Sequence, residues 1–396
     1  MPIPGVTARS LRDRYDVVIV GGGLQGIALG YELAKLGVAD VAVLDASWPG
    51  AGASGRNGEM IRSAFASEEW CRLFDHCLDR WHGLSAELDF NTLFTPAGYA
   101  VLAATEAEAQ GLRDQLPRHR ELGIESEWVD AERAREIVPA AHPDFVRGAM
   151  WQRRGGFAHH DAVLWGYARA AARQGVEIHA FSAVEDVLVA GGRAEGVVVG
   201  GRRIGAGVVV DCAGAFAREV AAMAGVALPT QRLLLEILVT ESVQPFLRPA
   251  VASLALMGYC HQTSRGEFVG GTEWKAENPA DDMGVSLAGL RDMASKWVRL
   301  FPQLAGLRVV RHWSGLVDHS PDLGPVLGPA PEVDGFVLCC GWIYGFMGAP
   351  GTSELLARYI VDGRMDPRMA PFGVDRLHEG RLVHEAALAV PAEEPA

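Results

Sequence analysis

The chain lacks the features that mark membrane, secreted or nucleic-acid-binding proteins. Its 396 residues contain no apolar run that approaches a bilayer span, and the first residues, MPIPGVTARSLRDRYD, lack the apolar region of a signal peptide. The net charge is −13, and no basic stripe is present, which argues against nucleic acid and anionic membrane as partners. We therefore expect a cytoplasmic protein that binds neither.

The cysteines also exclude a class of sites. The spacings of Cys71, Cys77, Cys212, Cys260, Cys339 and Cys340 match no zinc site and no redox pair, so we expect no metal. In a reducing cytoplasm such residues are usually small core residues. With 49% hydrophobic residues, the chain can bury a large core, and its length predicts two domains.

The segment from Tyr15 to Asp45 carries the strongest positive signal. A short β-branched run predicts a buried strand, and a G-x-G-x-x-G pattern follows it at Gly21, Gly23 and Gly26. These glycines permit a tight turn, the approach of a pyrophosphate and close helix packing. An amphipathic helix and a second strand come next, and Asp45 ends that strand, where a carboxylate can bind ribose hydroxyls. The order of these elements predicts a dinucleotide site.

A second glycine-rich segment lies near the other end of the chain. Residues 336–340 predict an apolar strand, residues 341–351 a glycine loop, and Thr352 the start of a helix. A loop that leads into a helix N-terminus favours an anion or a flavin carbonyl. Cys339 and Cys340 precede this loop, but we interpret them as core residues.

The pattern of elements predicts an α/β fold with an interrupted domain. A helix over 161–174, capped by Asp161, leads to strands at 176–178, 184–189, 195–199, 202–204 and 208–212, which read as a third parallel strand, a β-meander and a further buried strand. We expect a Rossmann-like nucleotide domain, a β-α-β unit with a β-meander, over 12–85, 145–228 and 319–375. A mixed α/β substrate domain, built on an antiparallel sheet, would occupy 86–144 and 229–318. Residues 376–396 read as a frayed tail.

Five motifs together resemble the D-amino-acid oxidase-like flavoprotein superfamily. They are YDVVIVGGG from Tyr15, GRNGEMIRS at 55–63, HDAVLWGYAR at 160–169, WSGLVD at 313–318 and CGWIYGFMGAPG at 340–351. The resemblance covers almost the whole chain and is greatest to the beta subunits of heterotetrameric sarcosine oxidases. HDAVLWGYAR is the most discriminating motif.

The resemblance implies that the bound dinucleotide is FAD. The residues it assigns to FAD are Gly21, Gly23, Gln25, Gly26 and Asp45 for the ADP part, Arg56 and Asn57 beside the flavin, Val184 at the adenine, and Gly345, Phe346 and Gly348 along the ring. Gly214, after the last buried strand, is a further cofactor-binding candidate. Single-chain sarcosine oxidases attach FAD to a cysteine, but the matching position here is Gly315. The resemblance therefore implies non-covalent FAD.

The resemblance also suggests how a substrate is bound. Arg62 matches the arginine that binds the substrate carboxylate, and a guanidinium offers two parallel donors for this task. Met347 occupies a position where sarcosine oxidases usually have a lysine that anchors the substrate carboxylate. The loss of this cation favours a bulkier or less acidic secondary amine over sarcosine. Tyr259 and His261, in a strand-like segment of the inserted domain, are candidates to polarise the substrate amine.

His160 matches the histidine that carries covalent FMN in the heterotetrameric enzymes. We expect the adjacent helix N-terminus to keep its imidazole neutral and nucleophilic. In that branch electrons pass from FAD to FMN and then to oxygen, and an alpha-type subunit with a folate site is the partner. Two alternatives remain. One is a self-sufficient FAD-dependent dehydrogenase or oxidase of the D-amino acid, glycine or proline type, with His160 unmodified. The other is a non-catalytic flavin-binding subunit.

Overall fold

A computed structural model of the chain describes residues 5–272 and 283–385. Their helices are Leu24–Lys35 (α1), Glu68–Leu88 (α2), Glu106–Arg113 (α3), Leu116–Glu121 (α4), Ala131–Ile137 (α5), His160–Arg173 (α6), Ala217–Met223 (α7), Leu287–Leu300 (α8), Gly345–Asp362 (α9) and Asp375–His378 (α10). Their strands are Arg14–Val20 (β1), Val41–Leu44 (β2), Met60–Ile61 (β3), Tyr99–Ala103 (β4), Glu127–Asp130 (β5), Gly148–Gln152 (β6), Gly156–Phe157 (β7), Glu177–His179 (β8), Val184–Ala190 (β9), Arg193–Val199 (β10), Arg202–Asp211 (β11), Gln231–Thr240 (β12), Ala250–Ser253 (β13), Gly258–Gln262 (β14), Phe268–Thr272 (β15), Val309–His319 (β16), Val326–Pro329 (β17) and Phe336–Cys340 (β18). The predicted α/β fold is confirmed.

The first sheet holds the dinucleotide fingerprint at its centre. Its order is β17-β18-β11-β1-β2-β8, and β10 and β9 extend β11 as an antiparallel meander. Because β1 pairs in parallel with both β2 and β11, the carboxyl ends of these three strands meet at one edge. Ligands of open α/β sheets bind at this kind of edge.

The third meander strand differs from the sequence-based expectation. The prediction placed two strands at 202–204 and 208–212, but β11 runs without a break. Gly205 explains the continuity, because it pairs with Gly196 of β10 on one side and with Arg14 of β1 on the other. A methyl group at Gly196 would lie 2.0 Å from the Ile204 carbonyl oxygen, so these glycines let one strand serve both neighbours.

Helices α1, α2, α6 and α9 pack together on one face of the first sheet and share its largest apolar cluster. The crossing of α2 and α9 is very close, because a methyl group at Gly351 would lie 2.7 Å from the Cys77 Cα atom. The prediction that the second glycine segment is a loop up to Thr352 is wrong, since α9 already begins at Gly345 and includes Pro350. Small residues in its first turns let α9 approach α2.

The second sheet has the order β16-β12-β15-β14-β13-β4-β6-β5. It carries an apolar core of its own, to which α8 contributes Met293 and Trp297. Strand β6 departs from the expected domain ranges. The prediction placed 145–228 with the nucleotide domain, but β6 pairs with β4 and β5. The chain therefore passes from one sheet to the other after Gln152.

Residues 376–385 differ from the expected frayed tail. Arg376 is buried and forms a two-point ion pair with Asp322, with Nε and Nη2 at 2.8 and 2.9 Å from the carboxylate oxygens. The chain then returns along this pair, where the Val383 N–H also donates to Asp322. Residues 386–396 lie outside the described part of the chain.

Candidate active site

The turn after β1 is built for close approach of a ligand. Gly21 has a φ of +114°, which side chains rarely adopt, and a methyl group at Gly26 would lie 2.1 Å from the Gly21 carbonyl oxygen. The Gly22 N–H donates to Asp45 at the end of β2 over 2.7 Å. Burial raises the pKa of Asp45, while the N–H groups of Ser47 and Gly22 act to lower it. These contacts place a carboxylate and a bare backbone at the shared strand edge.

The segment that follows β2 lies beside the glycine turn and is held in place by hydrogen bonds. Ser54 accepts a hydrogen bond from the Leu24 N–H at the start of α1, over 2.8 Å. Arg56 donates from Nε to the Ala51 carbonyl over 2.9 Å and from Nη1 to the Ser314 carbonyl over 3.2 Å. The guanidinium of Arg56 therefore fixes the segment and joins it to β16 of the second sheet.

Gln25, Val184 and Gly214, which were also expected to contact FAD, lie at different distances from the strand edge. Gln25 is buried and donates to the Gly345 carbonyl over 2.8 Å, so its amide links α1 to α9. Val184 begins β9, close to Ser182, whose N–H donates to the Asp45 carbonyl over 2.7 Å. Gly214 lies just beyond the carboxyl end of β11 with a φ of +56°. Val184 and Gly214 thus lie near the strand edge, whereas Gln25 supports it from inside.

The first turn of α9 contains Gly345, Phe346, Met347 and Gly348. The Met347 side chain is buried in the apolar cluster, and its carbonyl accepts a hydrogen bond from the Trp81 indole over 2.9 Å. The Phe346 and Trp81 rings lie 5.3 Å apart. A methyl group at Gly348 would lie 2.9 Å from the Trp342 ring, so this turn is tightly enclosed by aromatic rings. Met347 contributes shape here and no charge.

Arg62, one residue beyond β3, is enclosed by aromatic rings. Its guanidinium carbon lies 3.8 Å from the Phe65 ring centre, 5.6 Å from that of Tyr99 and 5.8 Å from that of Tyr344. The side chain is only 8% exposed, and its Nη1 donates to the Ala64 carbonyl. A buried cation among aromatic faces has few solvent contacts and gains most from an anionic ligand.

The returning C-terminal segment reaches the same neighbourhood. Both carboxylate oxygens of Glu385 accept hydrogen bonds at the start of α2, from the Ala66 N–H at 2.7 Å and the Ser67 N–H at 2.9 Å. The carboxylate also acts on the guanidinium of Arg62, whose pKa it helps to raise against the opposing effect of burial. Sequence reasoning missed this residue because nothing local ties position 385 to position 66.

A second polar cluster forms around Glu59, which sequence reasoning also missed. Its buried carboxylate lies between two imidazoles, with Oε1 2.7 Å from His160 Nδ1 and Oε2 3.3 Å from His261 Nε2. The Glu59 backbone has a φ of +65°, and Asn57 accepts its N–H over 2.8 Å. A left-handed non-glycine residue costs about 1–3 kcal/mol and is frequent at functional sites. The sequence feature that could have identified Glu59 is its position as the acidic residue inside the GRNGEMIRS motif.

The start of α6 differs from the sequence-based expectations in two respects. His159 is the N-cap of α6 without a side-chain capping bond, and Asp161 lies in the first turn rather than capping it. Burial acts to lower the pKa of His160, but the contact with Glu59 outweighs it and raises that pKa. The helix N-terminus, which was expected to disfavour the protonated ring, is therefore opposed by a carboxylate at 2.7 Å.

Tyr259 and His261 lie on the same side of β14, and both meet the Glu59 segment. A methyl group at Gly58 would lie 2.4 Å from the Tyr259 ring, so this phenol packs over Gly58. His261 is fully buried and stacks on Phe157 with ring centres 4.1 Å apart. The structure therefore brings His261 to Glu59 and His160, and places Arg62 in a separate aromatic enclosure on the same segment.

Comparisons with known proteins agree on one family. The model of the family described as DAO, FAD dependent oxidoreductase, matches residues 16–359. The chain is 32% identical over 384 residues to sarcosine oxidase subunit beta of Rhodobacter capsulatus, covering 96% of this chain and 92% of that protein. It is 34% identical over 385 residues to sarcosine oxidase subunit beta of an Arthrobacter species, covering 96% and 95%.

A solved structure agrees with the fold. The L-proline dehydrogenase from P. horikoshii superposes with a TM-score of 0.90 at 26% identity, covering 94% of this chain and all of that one. Separately, no helix in residues 5–272 and 283–385 is both long enough and apolar enough to cross a membrane.

Proposed function

Because the chain belongs to the DAO family of FAD-dependent oxidoreductases, we propose that it oxidises a secondary amine or N-methyl amino acid and passes the electrons to a second flavin at His160. The observation that carries the amino-acid part is the enclosed guanidinium of Arg62, 3.8 Å from the Phe65 ring. In this proposal the chain acts as the beta-type subunit of a hetero-oligomeric sarcosine oxidase-like enzyme, with an alpha-type subunit that carries a folate site as its partner.

The residues at the strand edge fit an FAD molecule. Gly21 and Gly23 leave the backbone bare, and the carboxylate of Asp45 can accept ribose hydroxyls beside its two N–H donors. Gly315 has no thiol, and a methyl group there would lie 3.0 Å from the Arg56 Cβ atom, which supports non-covalent FAD. When bound, FAD takes up a hydride equivalent from the carbon next to the substrate nitrogen.

The chain's own residues bind and orient the substrate. Arg62 would hold the carboxylate, and the rings of Phe65, Tyr99 and Tyr344 would exclude water from that contact. Since Met347 offers no second cation, affinity for a small amino-acid carboxylate is reduced by about 1.5–3 kcal/mol relative to a site with two cations. This favours a substrate with a larger apolar part. Tyr259 is our candidate for contact with the amine, which reacts as the free base.

His160 would hold FMN. The ring is 16% exposed, and its Nε2 lies 3.6 Å from Asp161, on the side away from Glu59. A flavin at a subunit contact is poorly enclosed by one chain, so a covalent bond would retain it. The contact with Glu59 equally suits an unmodified histidine, which keeps the self-sufficient FAD dehydrogenase or oxidase as a second candidate.

One experiment tests these assignments. The chain is purified alone and after co-expression with an alpha-type subunit, precipitated with acid, and both fractions are analysed for flavin. We expect FAD in the supernatant of both preparations and FMN in the co-expressed pellet, on the peptide from Gly155 to Arg169. FAD in the pellet would contradict the non-covalent site. An active, FMN-free chain would support the self-sufficient enzyme, and a flavin-loaded chain inactive toward a panel of secondary amines would support a non-catalytic subunit.

A further inference from the structure

A buried glutamine of the second sheet holds the chain directly after Arg62. Gln152, the last residue of β6, is 2% exposed, and its Oε1 accepts the N–H groups of Ser63 over 2.8 Å and of Ala64 over 3.3 Å. Its Nε2 donates to Ser63 Oγ over 2.8 Å, and that hydroxyl donates to Asp75 of α2 over 2.8 Å. One side-chain amide therefore fixes two consecutive residues.

The same two residues determine where the guanidinium of Arg62 lies. The Ala64 N–H is bound by Gln152, and the Ala64 carbonyl accepts a hydrogen bond from Arg62 Nη1. A change in the orientation of Ala64 would therefore move the acceptor that orients the guanidinium. Because a guanidinium binds a carboxylate through two parallel donors in one plane, a small rotation weakens both contacts. The position of Arg62 thus depends on a side chain that comes from the second sheet.

The strand register places Gln152 beside a residue of the Arg62 enclosure. Gln152 pairs directly with Tyr99 of β4, whose ring centre lies 5.6 Å from the guanidinium carbon of Arg62. Residues that oppose each other across antiparallel strands direct their side chains to the same face of the sheet. Strands β4 and β6 therefore supply both a ring that encloses the cation and the amide that holds the backbone after it.

We propose that Gln152 is a positioning residue, which orients the Arg62 guanidinium for a substrate carboxylate by binding Ser63 and Ala64. The inference rests on the proposed function and adds to it a residue that determines specificity for the carboxylate. A glutamine amide suits this task, because its oxygen can accept two N–H groups while its NH₂ group donates to the hydroxyl. Gln152 acts on the substrate only through Arg62.

The test compares two buried glutamines that make the same kind of contacts. Gln152→Met keeps a side chain of similar length and removes all three hydrogen bonds. The matched control is Gln262→Met. Gln262 is 3% exposed, and its Oε1 accepts the N–H groups of Phe246 and Leu247 over 2.8 and 2.9 Å. Its Nε2 donates to the Gly266 carbonyl over 3.0 Å, so both substitutions remove an acceptor from two N–H groups and should have similar effects on stability.

The measured quantity is a ratio of two rates in the full chain at matched flavin content. It is kcat/KM for an N-methyl amino acid divided by kcat/KM for its decarboxylated amine. We expect the ratio to fall about tenfold or more in Gln152→Met, mainly through KM, because a misplacement of about 1 Å can cost up to about 100-fold. In Gln262→Met it should stay within about twofold of the wild type. An unchanged ratio in Gln152→Met, or an equal fall in Gln262→Met, would overturn the proposal.

A double variant tests whether Gln152 acts through Arg62. In an Arg62→Met background, Gln152→Met should cause no further fall in the ratio, because the cation that it positions is gone. A further fall as large as the one in the wild-type background would show that Gln152 affects the carboxylate by another route, and would refute the positioning role.

A carboxylate that does not react separates this inference from the function on which it rests. If the wild-type chain oxidises neither substrate, or both equally, the proposed function fails, and binding of N-acetylglycine is measured by titration calorimetry instead. Gln152→Met should then weaken binding about tenfold, as expected for one impaired charged contact, and Gln262→Met should not. Equal binding by the wild type and Gln152→Met, or no binding by the wild type, would refute the role of Gln152.

Discussion

Replacing Arg62 by methionine should separate substrate binding from the rest of the enzyme. Methionine fills much of the same volume among Phe65, Tyr99 and Tyr344, so the aromatic enclosure keeps its packing. The cation is lost, and with it the two parallel donors that suit a carboxylate. FAD should stay bound, because Arg62 lies outside the glycine turn and the Asp45 contact.

The magnitude follows from the burial of the guanidinium. One charged hydrogen bond contributes about 1.5–3 kcal/mol, which corresponds to a decrease of roughly 10-fold to 150-fold in kcat/KM. Since Arg62 is only 8% exposed, water cannot replace the lost donors well, and we expect the upper half of this range. The change should appear mainly in KM if the contact is equally strong before and during the reaction.

The assay compares two substrates on the same variant. Anaerobic reduction of FAD is measured with an N-methyl amino acid and with its decarboxylated amine, at matched flavin content. Only the carboxylated substrate should lose rate with Arg62→Met. Arg118→Met is the matched control, since Arg118 donates to the nearby Ala66 carbonyl outside the enclosure. Equal losses for both substrates, or none for the amino acid, would show that Arg62 is not a carboxylate anchor.

Three further substitutions have expected outcomes. Gly26→Ala should abolish FAD retention, measured by flavin absorbance per chain, because the added methyl group would lie 2.1 Å from the Gly21 carbonyl oxygen. Burial raises the pKa of Asp318 to about 6, so its ionisation costs about 3 kcal/mol of folding stability in all, of which about 2 kcal/mol is lost between pH 4.5 and 8. Urea titrations at pH 4.5 and 8 should show that loss in the wild type and not in Asp318→Asn. Arg376→Met should lower the free energy of unfolding by about 3–5 kcal/mol, because the buried Asp322 carboxylate loses its partner; a midpoint within a degree of wild type in calorimetry would refute this.

Local sequence patterns were sufficient for the parts of the fold that depend on near neighbours. The strand, glycine turn and helix from β1 to α1 follow from spacing alone, and Val41–Leu44 lies where the apolar run predicted it. The start of α9 could not be predicted in this way, because Gly345 and Pro350 have the propensities of loop residues. Packing against α2 outweighs that propensity, and this contact joins residues far apart in the chain.

The same limit applies to the candidate site. The motif around Arg62 was visible in the sequence, but its three aromatic neighbours come from an adjacent turn, from β4 and from the start of α9. Glu59 was not predicted as a site residue, because its importance comes from its contacts with His160 and His261. Helix α6 and the second sheet bring these two histidines to it. Pairings across two sheets leave no trace in a single sequence.

The hydrogen bonds of Glu385 to the start of α2 make this residue a reporter of the Arg62 enclosure. The carboxylate is held by the Ala66 and Ser67 N–H groups, directly after the ring of Phe65 that faces Arg62. An anionic ligand bound at Arg62 would compete electrostatically with Glu385 for this cation. Ligand binding and the contact of Glu385 with the start of α2 are therefore coupled, and hydrogen exchange of the Ala66 and Ser67 N–H groups would measure occupancy without a label.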